Sequence, residues 1–232
     1  MKLIMEDELC GLVNFSIFTN LSYNVIMAFL LRLVGDIHEN IHKIDDLKAD
    51  YLSYDLTILL GDVGFGFGIE HLINEFQSDK LKVLFGNHDC YDTLSHYPHN
   101  LGRYGLIEIG GKKIFYVGGA WSIDQDKRLP GYNWWGNEEL SFVEIDKCLE
   151  LWEKVGADVD IVLTHDAPIY VVNQLLGQWP IPTSTSQMLY EMWKIHKPKI
   201  WRFGHYHISW RKKISGTDFR CLNINEEEVI EI

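Results

Sequence analysis

The sequence has few cysteines, no long hydrophobic run and a shortage of basic residues. Only four of the 232 residues are cysteines, and no two of them form a C-x-x-C pair, which disfavours a thiolate zinc site and a disulfide framework. No apolar stretch reaches the roughly 18 residues that a membrane-spanning helix needs. The 21 basic residues stand against 33 acidic ones, a net charge of −12. Binding to long nucleic acids or to anionic membranes is therefore disfavoured, because both require a basic surface.

The remaining composition is that of a globular protein. Hydrophobic residues make up 47% of the chain and charged residues 23%, which excludes a disordered or collagen-like chain. A chain of this length buries about 70% of its surface on folding, so its core does not depend on disulfides. Scattered, reduced cysteines and an N-terminus unlike a secretory signal lead us to expect a cytoplasmic protein.

The sequence divides into a short N-terminal segment and a long segment that begins at Met27. Met27 begins an apolar run that is typical of a first buried strand and has its own initiating methionine. Residues 1–26 show no clear period, and we expect them to be either a leader added by an upstream start or an extra edge element. Residues 27–232 contain no internal repeat and no low-complexity linker, so we expect them to form one domain.

Short apolar runs alternate with helix-like stretches from residue 27 onward, which favours an α/β fold. A glycine pair at residues 110–111 predicts a hairpin turn between two further apolar runs. The predicted strands cover residues 28–36, 56–62, 81–89, 107–109, 113–117, 159–166, 199–207, 208–214, 219–222 and 229–232. The predicted helices lie near residues 40–52, 69–78, 137–155 and 186–196.

Clusters of Asp, Asn and His follow five of the predicted strands. In open α/β sheets, ligands bind outside the carboxyl ends of the strands. Five of the ten histidines fall at such ends, and histidines scattered through a core would not align in this way. The clusters are Asp36-x-His38, Gly61-Asp62, Gly86-Asn87-His88-Asp89, Thr164-His165-Asp166 and Gly204-His205-x-His207.

The side chains in these clusters suit a metal site. Histidine and carboxylate ligands without cysteine favour Mn, Fe, Ni or Zn. In extended backbone, alternate side chains point to the same side. The two ends of Asp36-x-His38, and those of His205-x-His207, can therefore face the same ion.

The order of the five clusters resembles the motif pattern of the calcineurin-like metallophosphoesterase superfamily, and in particular its small phage and bacterial members. That pattern runs D-x-H, G-D, G-N-H-[DE], a separate H and G-H-x-H, and here it spans residues 36 to 207. The resemblance implies an α/β fold in which two β-sheets form a sandwich flanked by helices, in four layers. It places the site at the strand ends.

The resemblance also implies two divalent metal ions and a set of ligands for each. Asp62 would bridge the two ions, and His88 would be the catalytic residue that protonates the leaving oxygen. The first ion would be held by Asp36, His38, Asp62 and His207, and the second by Asp62, Asn87, His165 and His205. The identity of the ions stays open among Mn, Fe, Ni and Zn, with manganese as one candidate.

The second cluster departs from the family pattern. In many relatives it reads G-D-x-x-D, and in Ser/Thr protein phosphatases it continues D-R-G. Here Phe65 stands where the second Asp would orient the catalytic histidine, and Gly66 stands where the phosphate-binding Arg would be. This disfavours a Ser/Thr protein phosphatase and leaves the partner that orients His88 open.

Two acidic residues beside the clusters receive a structural interpretation. Asp89 and Asp166 each follow a candidate site residue. We expect both to cap a helix or a turn rather than to bind metal.

The expected function is hydrolysis of a phosphoester by attack of a metal-bound hydroxide. The acidic chain favours a small phosphodiester or a nucleotide over long nucleic acid. Arg128, in an aromatic loop with Trp134 and Trp135, is the candidate substrate contact, because arginine pairs with phosphate and tryptophan stacks on bases. The alternatives are a metal-binding regulatory module with little turnover and a small-molecule phosphomonoesterase.

Overall fold

The structure is a computed structural model that describes residues 28–177 and 181–232. The prediction for residues 1–26 lies outside the described residues. The strands are Leu30–Val34 (β1), Leu56–Leu59 (β2), Leu81–Val83 (β3), Tyr104–Ile109 (β4), Lys112–Val117 (β5), Ile161–Thr164 (β6), Ile200–Phe203 (β7), Trp210–Ile214 (β8), Thr217–Cys221 (β9) and Glu227–Glu231 (β10). The α-helices are Ile41–Asp50 (α1), Glu70–Ile73 (α2), Tyr91–Leu94 (α3), Phe142–Val155 (α4), Ile169–Leu176 (α5) and Ser184–Ile195 (α6).

The strands form two mixed sheets. The first has the order β10-β1-β2-β3, in which β1, β2 and β3 are parallel and β10 is antiparallel to β1. The second has the order β4-β5-β6-β7-β9-β8, with parallel pairing from β5 to β9 and an antiparallel strand at each edge. The parallel strands of each sheet therefore end at one common edge.

Hydrophobic residues fill three layers between four layers of secondary structure. Alternate residues of a strand face opposite sides of its sheet, so Leu31 and Leu33 pack between the two sheets with Ile161. Val34 faces the other side, where it packs in one cluster with Ile44 of α1. The second sheet packs its outer face against α4, α5 and α6. The order is helix, sheet, sheet, helix, which confirms the predicted four-layer α/β sandwich.

Local sequence signals explain several boundaries. Helix α4 begins with a capping box, in which Ser141 and Glu144 each bond the other's backbone N–H. The predicted hairpin is confirmed, with Gly110 and Gly111 in the left-handed region (φ 55° and 72°) between β4 and β5. Such a turn favours glycine because a side chain is strained at positive φ. Among the described residues, no helix is long and apolar enough to cross a membrane.

Two helices were not predicted, and α2 and α4 are shorter than predicted. Helix α3 has only four residues, and α5 has the sequence IYVVNQLL, whose β-branched residues favour a strand by propensity alone. Val171 and Val172 of α5 are buried against the second sheet, so tertiary packing outweighs local preference there. Helix α2 covers only Glu70–Ile73 of the predicted 69–78.

Candidate metal centre

Four side chains from three strand ends meet in a first cluster. His207 Nε2 lies 3.0 Å from Asp36 Oδ2 and 2.9 Å from His38 Nε2. Asp62 contributes Oδ2, which lies 3.8 Å from His38 Nε2. All four ligand atoms lie within 4.8 Å of one another. The spacing suits a single cation coordinated by two carboxylates and two imidazoles.

A second cluster lies on the other side of Asp62. It combines that carboxylate with His165 and His205, again with ligand atoms within 4.8 Å. His205 and His207 therefore belong to different clusters, and the expectation that both face one ion is wrong, because their backbone is left-handed rather than extended. His165 Nε2 lies 3.3 Å from Asp62 Oδ1 and 3.0 Å from Asn87 Oδ1. Asp62 therefore turns one oxygen towards each cluster, which is the arrangement of a bridging carboxylate.

The polar groups of the second cluster fit a cation. His165 Nδ1 lies 2.7 Å from the carbonyl oxygen of Leu60, so Nδ1 carries the proton and donates it. In the neutral ring, Nε2 then carries a lone pair. That lone pair faces two further acceptors, the oxygens of Asp62 and Asn87. Three converging acceptors repel one another unless positive charge lies between them, so the residues present fit a divalent metal.

A proton on His165 Nε2 and a metal ion compete for this position, because a histidine ligand must be deprotonated. Burial disfavours charge on His165, but the neighbouring Asp62 carboxylate outweighs it and raises the pKa of the imidazole to about 10. Burial also opposes ionisation of Asp62, but His165 holds the pKa of that carboxyl far below its usual range. Burial and the charge on His165 lower the pKa of His205 to about 3. The centre thus keeps carboxylate charge that attracts a cation.

Strained backbone aims several of these side chains. His38, Asp62, His205 and His207 all have left-handed φ angles, between 47° and 67°. This conformation costs a non-glycine residue on the order of 1–3 kcal/mol and persists where surrounding structure enforces it. Its concentration at the two clusters indicates that the fold gives up some stability to direct these ligands inward.

Glycines permit the close approach of neighbouring chain segments. A Cβ built on Gly86 would lie 2.1 Å from the backbone nitrogen of Asp62. One on Gly204 would lie 2.3 Å from Asp36 Oδ1. Since both distances are shorter than any real contact, side chains at these positions would displace the two carboxylates. The glycines of the G-N-H-D and G-H-x-H blocks thus have a packing role.

Asp89 has a larger structural role than the predicted turn cap. It belongs to neither ligand cluster. Its Oδ1 accepts hydrogen bonds from the backbone N–H groups of Val63, Gly64 and Phe65, and its Oδ2 accepts one from Gly86. The buried carboxylate therefore joins the loop after Asp62 to the loop that carries Asn87 and His88.

Replacing Asp89 should destabilise the protein markedly. Asp89→Ala leaves up to four buried N–H groups without an acceptor, and each such loss costs about 1–3 kcal/mol unless water replaces the carboxylate. We expect a loss of about 2–4 kcal/mol in the free energy of unfolding, measured by urea denaturation. Asp79→Ala, at an exposed loop position, is the control and should change stability by less than about 0.5 kcal/mol. Equal stability of the two variants would contradict this role.

Phe65, the residue at which the G-D motif departs from the family pattern, is part of the hydrophobic core. Phe65 is fully buried and packs edge-to-face on Tyr97, with ring centroids 5.4 Å apart. His88 has a different neighbour, Arg128, whose Nη2 lies 2.6 Å from His88 Nε2. Asp124 holds the guanidinium through a 2.7 Å contact to Nε. Burial lowers the pKa of His88, and the charge on Arg128 lowers it further, against the opposing effect of Asp62.

A cleft of about 480 Å³ opens over both clusters. Arg128 and Asp124 line it, as do His88 and Tyr206. The described lining residues include neither Trp134 nor Trp135, so these two tryptophans lie outside the cleft that Arg128 lines, and a role for them in recognition stays a prediction. Trp135 packs instead on Phe67, with ring centroids 5.5 Å apart, because burying an aromatic ring against another is more favourable than leaving both in water.

Sequence reasoning missed two residues that support the centre. Asn87 Nδ2 donates to Ser122 Oγ at 2.9 Å, and Ser122 is in turn bonded to Glu138. Both residues are buried although they are polar. Ser122 lies in a G-G-x-x-S segment after β5, and no spacing rule connects this segment to Asn87.

The family model for calcineurin-like phosphoesterases matches residues 31–209. The chain belongs to this family. The match includes all five clusters, and the resemblance drawn from the motifs is confirmed. A search of curated proteins found no significant match.

Solved structures share the fold of this calcineurin-like phosphoesterase at low identity. One is a Staphylococcus aureus protein provisionally named a 5′-nucleotidase, with a TM-score of 0.57 and 14% identity. The match covers 88% of this chain and 51% of that one, so this chain spans about half its length. Another is a Thermus thermophilus protein with a TM-score of 0.53 and 10% identity, with coverages of 88% and 99%. At these identities the likeness concerns the fold alone.

Proposed function

We propose that this family member is a hydrolase that uses two divalent metal ions to cleave a small phosphodiester or a nucleotide. The observation that carries the proposal is Asp62, which directs one carboxylate oxygen to each of two ligand clusters. Two ions that share a carboxylate are suited to clamp the attacking and leaving oxygens of an in-line displacement at phosphorus. The nitrogen and oxygen ligands support Mn, Fe, Ni or Zn, and Mn²⁺ is our choice for assays.

The proposed ligands are those expected from the motifs. Asp36, His38, Asp62 and His207 would hold the first ion, and Asp62, Asn87, His165 and His205 the second. When bound, the ions supply Lewis-acid charge and activate water. Two divalent cations bring four positive charges and the two carboxylates remove two, so the loaded centre attracts an anionic phosphoester.

Two residues of the chain would act on the substrate directly. His88 lines the cleft above the clusters, where its imidazole can give a proton to the leaving oxygen. The Arg128 guanidinium lies beside it and can donate to a phosphate oxygen. Asp124 fixes the orientation of Arg128 through Nε, and the two terminal nitrogens contact the His88 ring.

Charge compensation favours a diester over a monoester. Asp124 lines the same cleft and offsets the charge on Arg128. No second arginine or lysine lines the cleft among the described residues. A phosphodiester carries one negative charge, whereas a monoester carries nearly two at neutral pH, so the monoester needs more positive charge than this surface supplies. The net charge of −12 also disfavours long nucleic acid.

The substrate class is tested with nitrophenyl esters. We expect the Mn²⁺-loaded protein to hydrolyse bis-(4-nitrophenyl) phosphate with a kcat/KM at least equal to that for 4-nitrophenyl phosphate. Metal content by mass spectrometry, before and after treatment with a chelator, should follow activity. Strong monoester and negligible diester turnover would identify a small-molecule phosphomonoesterase instead. Bound metal without turnover on a wider panel of nucleotides and cyclic nucleotides would indicate a regulatory module.

A further inference from the structure

A chain of three buried polar side chains extends outward from the second cluster. Asn87, Ser122 and Glu138 are 2%, 1% and 3% exposed. Asn87 Nδ2 lies 2.9 Å from Ser122 Oγ, which lies 2.6 Å from Glu138 Oε2. The backbone N–H of Ser122 donates to Glu138 Oε1 at 2.9 Å. The Glu138 carboxylate thus accepts hydrogen bonds from both the hydroxyl and the backbone N–H of Ser122.

The directions of these hydrogen bonds follow from the carboxylate. An ionised carboxylate only accepts, so the Ser122 hydroxyl gives its single proton to Glu138. The hydroxyl oxygen can then only accept from Asn87, which must present its NH₂ group. An amide that turns its NH₂ group to Ser122 turns its oxygen to the opposite side, where His165 Nε2 lies.

We propose that Ser122 and Glu138 are positioning residues that hold Asn87 with its amide oxygen towards the second metal ion. The inference rests on the proposed dinuclear centre and adds a residue role to it. An amide can rotate by 180° and exchange its oxygen and nitrogen at almost the same positions. Only the oxygen has a lone pair for a cation. Glu138 selects the orientation in which the Asn87 oxygen faces the ion, although two successive hydrogen bonds separate it from the amide.

The fold holds Ser122 and Glu138 next to each other. The loop after β5, which carries Ser122, runs directly against the segment that precedes α4, which carries Glu138. Ala120 N donates to the carbonyl oxygen of Glu138 at 3.2 Å. A Cβ on Gly119 (φ 87°) would lie 2.4 Å from that same oxygen, so only glycine allows this approach. Glu138 is therefore fixed by its backbone as well as by its side chain.

We call the side-chain hydrogen bonds that join Glu138 through Ser122 to Asn87 the relay. Glu138→Gln should reverse the direction of every hydrogen bond in the relay without changing the size of the side chain. The backbone N–H of Ser122 still needs an acceptor, so the new amide places its oxygen there and its NH₂ group against the Ser122 hydroxyl. The hydroxyl then donates to Asn87, and the Asn87 amide turns its NH₂ group towards the ion. We expect binding of the second Mn²⁺ to weaken about 10- to 100-fold, the usual cost of changing a group that orients a metal ligand. The first Mn²⁺ should bind as before.

The decisive variant is the double substitution Asn87→Asp with Glu138→Gln. A carboxylate at position 87 accepts from Ser122 on one side and faces the ion with its other oxygen, so the reversed relay suits it. The double variant keeps the net charge of the wild type and should recover most of the lost affinity. Asn87→Asp alone should bind the second ion poorly, because the Ser122 hydroxyl is already donated to Glu138. A role in general stability would not produce this reciprocal rescue.

Binding is measured with Mn²⁺ alone, by calorimetric titration and by electron paramagnetic resonance, which distinguishes a coupled pair of ions from a single one. Ser122→Ala, which cuts the relay, should also weaken the second ion and keeps the test decisive if Glu138→Gln does not fold. The matched controls are Ser141→Ala and Glu144→Gln, a second Ser–Glu pair in the α4 cap, which should leave both affinities unchanged.

Two results would overturn the inference. Two Mn²⁺ ions in the wild type, with unchanged second-site affinity in Glu138→Gln, would remove the positioning role and leave the proposed function intact. A double variant as weak as the more damaged single variant would do the same. Wild-type protein that binds no second Mn²⁺ would overturn the dinuclear centre and the inference together.

Discussion

Asp62→Asn should reduce both the metal content and the activity of the protein to near background. The substitution keeps the size of the side chain but leaves only one oxygen for two clusters. Asp62 Oδ1 faces His165 and Oδ2 faces His38, so an NH₂ group must point at one of the two ions. We expect activity to fall about 1,000-fold or more, since the loss of one charge-stabilising group in an active site already costs about 100- to 1,000-fold.

The backbone makes this substitution a clean test. Asp62 has a left-handed conformation, with φ 50°, and asparagine is among the residues that tolerate this conformation best. The variant should therefore fold, and its loss of metal should not come from strain. The exposed Asp45→Asn on α1 removes the same charge elsewhere and should keep two metals per chain. Two metals with normal turnover in Asp62→Asn would disprove the bridging role.

The strand ends could be predicted because their signals are local. An apolar run that ends in glycine and a polar residue marks the carboxyl end of a buried strand, and a parallel sheet brings such ends together. Asp36, Asp62, Asn87, His165 and His205 all lie where this rule places them. Their roles as metal ligands stay predictions that the metal measurements test.

The support of the centre could not be predicted in the same way. The sequence predicts that Asp89 caps a helix or a turn, but it accepts N–H groups from a loop that lies about 25 residues earlier. Ser122 follows β5 of the second sheet and Asn87 follows β3 of the first, and the two side chains meet only where the ends of the two sheets come together. Glu138 joins them through Ser122. Hydrogen bonds between distant segments depend on tertiary packing, which has no fixed spacing along the chain.

In the aromatic loop, closeness in sequence does not bring the side chains to the same cleft. Arg128, Trp134 and Trp135 are close in sequence and were expected to share one surface. Arg128 points into the cleft and contacts His88, whereas Trp135 packs on Phe67. Within irregular backbone, neighbours in sequence have no fixed relative direction, unlike residues of a strand or a helix. Arg128 and Trp135 therefore contact different neighbours, although the sequence places them only seven residues apart.

His88→Ala should slow hydrolysis according to the leaving group. If His88 gives its proton to the leaving oxygen, a dinucleoside phosphate, whose leaving group is an alkoxide, should lose about 100- to 10,000-fold in kcat. Nitrophenolate departs without a proton, so bis-(4-nitrophenyl) phosphate should lose much less. The metals should stay, because the contact of residue 88 with Asp62 is made by its backbone N–H, which alanine keeps (2.7 Å to Oδ1).

The comparison of the two substrates separates proton donation from phosphate binding. Removal of a phosphate-binding group slows both substrates by the same factor, because the phosphate is common to both. Removal of a proton donor slows only the substrate that needs the proton, so the ratio of the two rates changes. His71→Ala, at an exposed position whose ring nitrogen Nδ1 lies 2.9 Å from the carbonyl oxygen of Gly68, should leave both rates unchanged. An equal loss on both substrates in His88→Ala would assign the histidine, together with Arg128, to holding the phosphate.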